Sequence, residues 1–142
     1  MNKIQKEIIA LKEEKNALIL AHNYQSIEVQ ELADFRGDSL QLSIQSAQTH
    51  SSLIVFCGVR FMAETAGILN PQAKILLPVL EAGCPMAEMI NADQLKEFKR
   101  QYPNSVVVCY VNSTVEVKAE SDICCTSSNA VQVISSIPKD KT

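Results

Sequence analysis

Residues 17–39, ALILAHNYQSIEVQELADFRGDS, decide the fold, because residues 105–127, SVVVCYVNSTVEVKAESDICCTS, repeat their pattern. At an offset of 88 the two stretches align without a gap, with Glu28 on Glu116, Val29 on Val117, Asp34 on Asp122 and Ser39 on Ser127. Each opens with a continuous apolar run, passes a polar strand end, enters a helical pattern and reaches a serine ahead of a second helix. Four identities in 23 positions are a thin signal. The shared order of strand, polar end, helix and serine makes duplication the better reading. The expected organisation is a first α/β repeat over residues 1–104 and a truncated second repeat over 105–142. Such a fragment leaves a sheet edge and a helix face that normally need covering.

The same alternation continues outside the repeat. Ile4, Ile8 and Leu11 recur at helical spacing among Lys and Glu and predict an opening helix ending near Asn16. Unbroken apolar runs at 17–21, 53–57, 75–77 and 106–111 predict strands. Runs without alternation suit strands covered on both faces, the habit of parallel sheets. Helical stripes fill the gaps: Leu40, Ile44 and Ala47 behind Asp38 or Ser39 as N-cap, and Phe61, Thr65 and Leu69 stopped by Asn70-Pro71. Leu95 and Phe98 follow Asn91, and Val131 and Ile134 follow Ser127 or Ser128 and are stopped by Pro138. This order predicts an open α/β sandwich. Ligands of such sheets bind outside the carboxyl ends of the strands.

Composition excludes several classes. With 46% hydrophobic and 20% charged residues the chain is globular, neither disordered nor fibrous. A net charge of −3 and a pI near 5.4 supply no basic stripe for nucleic acid or an anionic membrane, so an anionic ligand must be held by local fields. Lys and Glu interleave through the first sixteen residues, which excludes a signal peptide. No apolar stretch approaches the roughly 18 residues of a membrane span. A cytoplasmic protein is expected, with Cys57, Cys84, Cys109, Cys124 and Cys125 as reduced thiols or metal ligands.

The expected strand ends gather the polar residues. His22 and Tyr24 leave the first strand, and Tyr110 and Asn112 leave its counterpart. Ser39 and Ser127 each precede a helical stripe, where free N–H groups and the helix dipole favour a carboxylate or phosphate. A serine there is commonly only a cap, and a lone His or Tyr at a strand end is commonly structural. Their recurrence in both copies is what points to an anion-seeking pocket. Cys84, in Glu81-Ala-Gly-Cys-Pro-Met-Ala-Glu88, is expected just before a helix starting at Pro85. A thiolate there is stabilised, so Cys84 is a ligand or nucleophile. Cys57 and Cys109 fall within strands and read as core, and Cys124 and Cys125 read as packing in a connection before a helix. No Cys-x-x-Cys or glycine-rich phosphate loop is present, and His50 reads as solvated surface.

The runs LAHNYQ (20–25), ADFRGDSLQLS (33–43), VFCGVRFMAE (55–64), AGCPMAEM (82–89), CYVN (109–112) and CTSSNA (125–130) resemble, in order, the N-terminal signature of quinolinate synthases. The resemblance implies three similar α/β domains around a pseudo-threefold axis, of which this chain holds the first and part of the second. It implies a condensing and dehydrating transferase of NAD biosynthesis that joins iminoaspartate to dihydroxyacetone phosphate and releases water and phosphate. L-Aspartate oxidase would be the source of iminoaspartate. A [4Fe-4S] cluster held by three cysteines, one per domain, would act as Lewis acid, with Cys84 the first ligand. His22, Ser39, Tyr110, Val111, Asn112 and Ser127 would bind substrate oxygens, and Tyr24, with His22, would be catalytic through proton transfer. The remaining ligands have no counterpart here, so this chain alone is expected to be inactive. The rival expectation is a small α/β module that captures a carboxylated or phosphorylated metabolite through Ser39 and Ser127 without metal.

Overall fold

The structure, a computed structural model, describes residues 1–141. It divides into two compact units, Met1–Gly83 and the residues from Cys84 onward. The boundary drawn at 104/105 separates copies of a sequence pattern, which is a different division.

The first unit runs α1 (Lys3–Glu14), β1 (Leu18–His22), α2 (Ile27–Gln30), β2 (Phe35–Gly37), α3 (Ser39–Gln48), β3 (Leu53–Cys57), α4 (Arg60–Leu69) and β4 (Lys74–Leu76). The four strands form one parallel sheet in the order β2-β1-β3-β4. With the right-handed crossovers general to such sheets, this strand order assigns α2 to one face and α3 and α4 to the other, and Ser46 of α3 bonds Ala66 of α4. Gln5 on α1 donates to the Glu28 carbonyl at 3.2 Å, which ties α1 to α2. The central strands carry the core: Leu20, Ala21, Ile54 and Phe56 are fully buried. Predicted runs and observed strands agree closely, and β3 covers the predicted 53–57.

Helix starts follow local chemistry. Asn2 with Gln5, Asp38 with Gln41 and Asn91 with Gln94 each form a capping box, in which the cap side chain accepts the third N–H and the glutamine returns a carbonyl to the cap N–H. Asp38 is thus the N-cap of α3, and Ser39 is its first residue. The face of α3 differs from the predicted stripe. Leu42 and Ser46 are buried, whereas Leu40 is 66% and Ile44 45% exposed, and Ala47 is exposed too. Ser46 is small enough to sit against α4, and its hydroxyl satisfies itself on the Ala66 carbonyl at 3.3 Å. The pattern 42/46 was outweighed in the sequence by a more apolar stripe on the opposite side.

In the second unit α5 (Ala92–Gln101), β5 (Val108–Tyr110), α6 (Val115–Ala119), β6 (Ile123–Cys125) and α7 (Ala130–Ser136) follow in order. β5 and β6 pair in parallel. Cys124 and Cys125 therefore lie in a strand, not in a connection; three residues without a long apolar run gave no strand signal. β2 escaped notice for the same reason. Pro85 starts a single turn over 85–88 and no helix. Asn129 caps α7, which leaves Ser127 in the preceding turn and outside the helix.

The two aligned stretches share hydrogen bonds as well as letters. β1 pairs with β2 as Leu20↔Phe35, Ala21↔Arg36 and His22↔Gly37, and β5 with β6 as Val108↔Ile123, Cys109↔Cys124 and Tyr110↔Cys125, each partner displaced by 88. Asp34 accepts the Ile19 N–H at 2.8 Å and Asp122 accepts the Val107 N–H at 2.8 Å. Their own N–H groups return to the Ile19 and Val107 carbonyls at 2.9 Å. The repeated aspartate is thus explained: it closes the strand pair where the ladder begins. Glu28 and Glu116 stand in the first turns of α2 and α6, favourable to the dipole. Ser39 and Ser127 alone occupy unlike positions. Asp34 also holds Lys12 at 2.7 Å, so Asp34→Ala strands a buried N–H and an ammonium together. We expect a loss of about 1.5–3 kcal/mol in urea unfolding. A loss within error would show that solvent replaces the carboxylate.

Candidate functional site

In the first unit the carboxyl ends of β1 and β2 bring together His22, Tyr24 and Ser39. His22 ends β1 and pairs with Gly37, which is followed by the Asp38 cap and Ser39. Gly37 is required there, because a Cβ would lie 2.7 Å from Gln41 Oε1, the oxygen that caps the Asp38 N–H. A tight turn, closed by the Gln25 N–H on the His22 carbonyl, presents Tyr24. Gln30 braces that turn by donating to the carbonyls of Asn23 at 3.0 Å and Gln25 at 2.7 Å. The Tyr24 ring lies on the His22 ring with centroids 4.0 Å apart and planes inclined 33°. Its hydroxyl reaches Met62 Sδ, at the start of α4, at 4.0 Å.

His22 Nδ1 accepts the Tyr24 N–H at 3.3 Å, so the neutral ring carries its proton on Nε2, a donor for a ligand oxygen. Burial lowers the His22 pKa below its ordinary 6.5, and the Asp38 carboxylate opposes that shift. The unfolded chain therefore binds a proton more readily just below pH 6.5. The stability contributed by the neutral ring is full above 6.5 and is lost as pH falls through the folded-state value. Asp38→Asn removes the opposing anion and should move the His22 titration further down. The imidazole proton shifts followed by NMR against pH measure this directly, and an upward movement would contradict it.

In the second unit Tyr110 ends β5, with Val111 and Asn112 directly after it. The Val111 N–H bonds the Cys125 carbonyl at 2.9 Å, matching Asn23 N–H on Gly37 at 3.0 Å in the first unit. Ser127 is exposed, beside a network in which Thr126 bonds Asn129 and Ser128. Ser127 therefore belongs to a polar turn, and the helix-opening role expected of it falls to Asn129.

Cys84 is half-buried at the head of its turn, whose N–H groups of Ala87 and Glu88 return to the Cys84 carbonyl at 2.8 and 3.1 Å. The Glu88 carboxylate accepts the Cys84 N–H at 3.2 Å. The thiol is a soft donor at the head of this short turn. Among the described residues no three His, Cys, Asp or Glu groups come together to hold a metal ion. All five cysteines are free. Burial pushes the Cys57 thiol up, consistent with a packing residue. No helix among the described residues is long and apolar enough to cross a membrane.

Sequence reasoning missed Gln30 and Met62, because a side chain that braces a turn or meets a ring from another element leaves no local pattern. Asp38 and Gln41 were within reach, since Asp-x-x-Gln is a capping-box spacing.

A sequence model described as quinolinate synthetase A protein matches residues 6–142. A quinolinate synthase of Alkaliphilus metalliredigens is 63% identical over 135 residues, 95% of this chain and 45% of that protein. One of Dehalococcoides mccartyi is 60% identical over 137 residues, 96% of this chain and 45% of the relative. One of Pelobacter propionicus is 58% identical over 140 residues, 99% and 46%. The chain thus spans about half the length of the curated relatives it matches.

Proposed function

The chain belongs to the quinolinate synthetase A protein family, and from that premise we propose that it supplies the first α/β domain and part of the second to a quinolinate synthase. The observation that carries the reading is identity of 63% across 95% of the chain with a quinolinate synthase. The matched strand registers and paired aspartates support descent of the two stretches from one duplicated unit. The full enzyme would then be built of such domains around a pseudo-threefold axis. The reaction is the condensation of iminoaspartate, supplied by L-aspartate oxidase, with dihydroxyacetone phosphate. Five free thiols suit a cytoplasmic setting.

Cys84 would hold one iron of a [4Fe-4S] cluster, and the other two thiolates would come from outside the chain described here. When bound, such a cluster with one open iron position supplies Lewis acidity toward substrate oxygens. The chain's own residues bind and move protons. Neutral His22 donates Nε2–H to a carboxylate or phosphate oxygen. The Ser39 hydroxyl and the N-terminus of α3, a helix of ten residues, add donors and a favourable dipole. In the second unit Tyr110, Val111, Asn112 and Ser127 offer hydroxyl, amide and backbone groups to substrate oxygens. Tyr24, held between the His22 ring and Met62, exchanges a proton at its phenolic oxygen.

A chimera tests this. The matching segment of the Alkaliphilus enzyme is replaced by this chain, and quinolinate is measured from iminoaspartate and dihydroxyacetone phosphate under anaerobic conditions. Activity within about tenfold of the parent is expected, since the exchanged segments are 63% identical over 135 residues. A folded, cluster-loaded chimera that makes no quinolinate would sink the reading.

A further inference from the structure

Cys109 and Cys124 are directly paired neighbours on β5 and β6, and their sulfurs are 3.4 Å apart. Adjacent strands lie about 4.8 Å apart, inside the roughly 4.4–6.8 Å that a disulfide spans between Cα atoms. The two thiols therefore need a side-chain adjustment of ångström size, with no rearrangement of the backbone. One of them is reachable: Cys124 is exposed, whereas Cys109 is buried behind it. That asymmetry suits thiol–disulfide exchange, in which an outer thiolate attacks the oxidant and an inner thiol resolves the mixed disulfide. Neither sulfur is used by the reaction described above.

We propose that Cys109 and Cys124 form a dithiol site which a small-molecule disulfide such as oxidised glutathione converts to an intramolecular bridge. The Cys124 thiolate attacks one sulfur of the oxidant, forms a mixed disulfide and releases one reduced thiol. Cys109, losing its proton to solvent, then attacks the Cys124 sulfur, closes the bridge and releases the second reduced thiol. Two protein thiols are oxidised and one disulfide is reduced to two thiols, so atoms and electrons balance. Burial and the neighbouring Cys109 push the Cys124 thiol up to about 11, against a smaller opposing effect of Lys118. A thiol raised in this way forms less thiolate at neutral pH, which is why mildly alkaline buffer suits its reaction. The bridge would pin β5 to β6 one residue before Tyr110-Val111-Asn112 and one residue before Cys125, whose carbonyl holds Val111.

The 142-residue chain is equilibrated in glutathione buffers of increasing oxidised fraction at mildly alkaline pH, alkylated, and mapped by mass spectrometry. The expected product is a peptide pair joined through Cys109 and Cys124. In Cys109→Ser the resolving thiol is gone, and the glutathione adduct on Cys124 should rise about tenfold over the unsubstituted chain. The site is overturned if the unsubstituted chain accumulates a stable adduct on Cys124 without bridging. It is overturned equally if Cys124 joins another cysteine, or if both thiols still alkylate at the most oxidising end of the series. The map of the unsubstituted chain decides the matter even if the variant fails to fold, and it does so without reference to quinolinate formation.

Discussion

Phe56→Ala is expected to cost about 3–5 kcal/mol, a large share of the roughly 5–15 kcal/mol that holds a domain folded. Phe56 is fully buried on β3, a strand flanked by β1 and β4. Its ring also fills the space beside Gly58, where an added Cβ would come within 2.9 Å of Phe56 Cε1. Truncation removes the ring from both packings and leaves a cavity that the neighbouring strands cannot close without losing register. The loss of far-UV circular dichroism against urea concentration gives the measurement. A midpoint close to that of the unsubstituted chain would mean that the sheet is held chiefly by other contacts.

Cys84→Ser in the active chimera is expected to abolish cluster binding and quinolinate formation together. A hydroxyl is a hard, weakly acidic donor and a poor ligand for iron–sulfur clusters, and two remaining thiolates leave the cluster labile. Cys57→Ala and Cys109→Ala should instead cost about 1 kcal/mol each through small voids, with iron content unchanged. Iron analysis and visible absorption after anaerobic reconstitution separate the two outcomes. Full iron and activity in the Cys84 variant, with both lost in the Cys109 variant, would transfer the ligand role to the strand cysteine. By the same chelation reasoning the 142-residue chain on its own should hold no stable cluster. A stoichiometric cluster in it would contradict the single-donor reading of Cys84.

The sequence by itself determined the α/β class, the central strands and the helix starts at Asp38 and Asn91. Leu18–His22 and Leu53–Cys57 are unbroken apolar runs because the central strands of a parallel sheet are covered on both faces. Asp38 and Asn91 mark helix starts because capping is chemistry within four residues. His22, Tyr24 and Ser39 were placed together because the ends of parallel strands are where such sheets present side chains. Only the tertiary structure decided the rest. β2 and β6 are strands because a neighbour pairs with them, although three residues carry too little pattern to declare themselves. The inward face of α3 was set by the fit of Ser46 against α4, which outweighed the more apolar side bearing Leu40 and Ile44. The contact of Cys109 with Cys124 depends on strand register, which is fixed by hydrogen bonds between segments fifteen residues apart. Periodicity and capping act within a few residues and can be read along the chain. Pairing and packing act between segments, and their outcome exists only once the chain has folded.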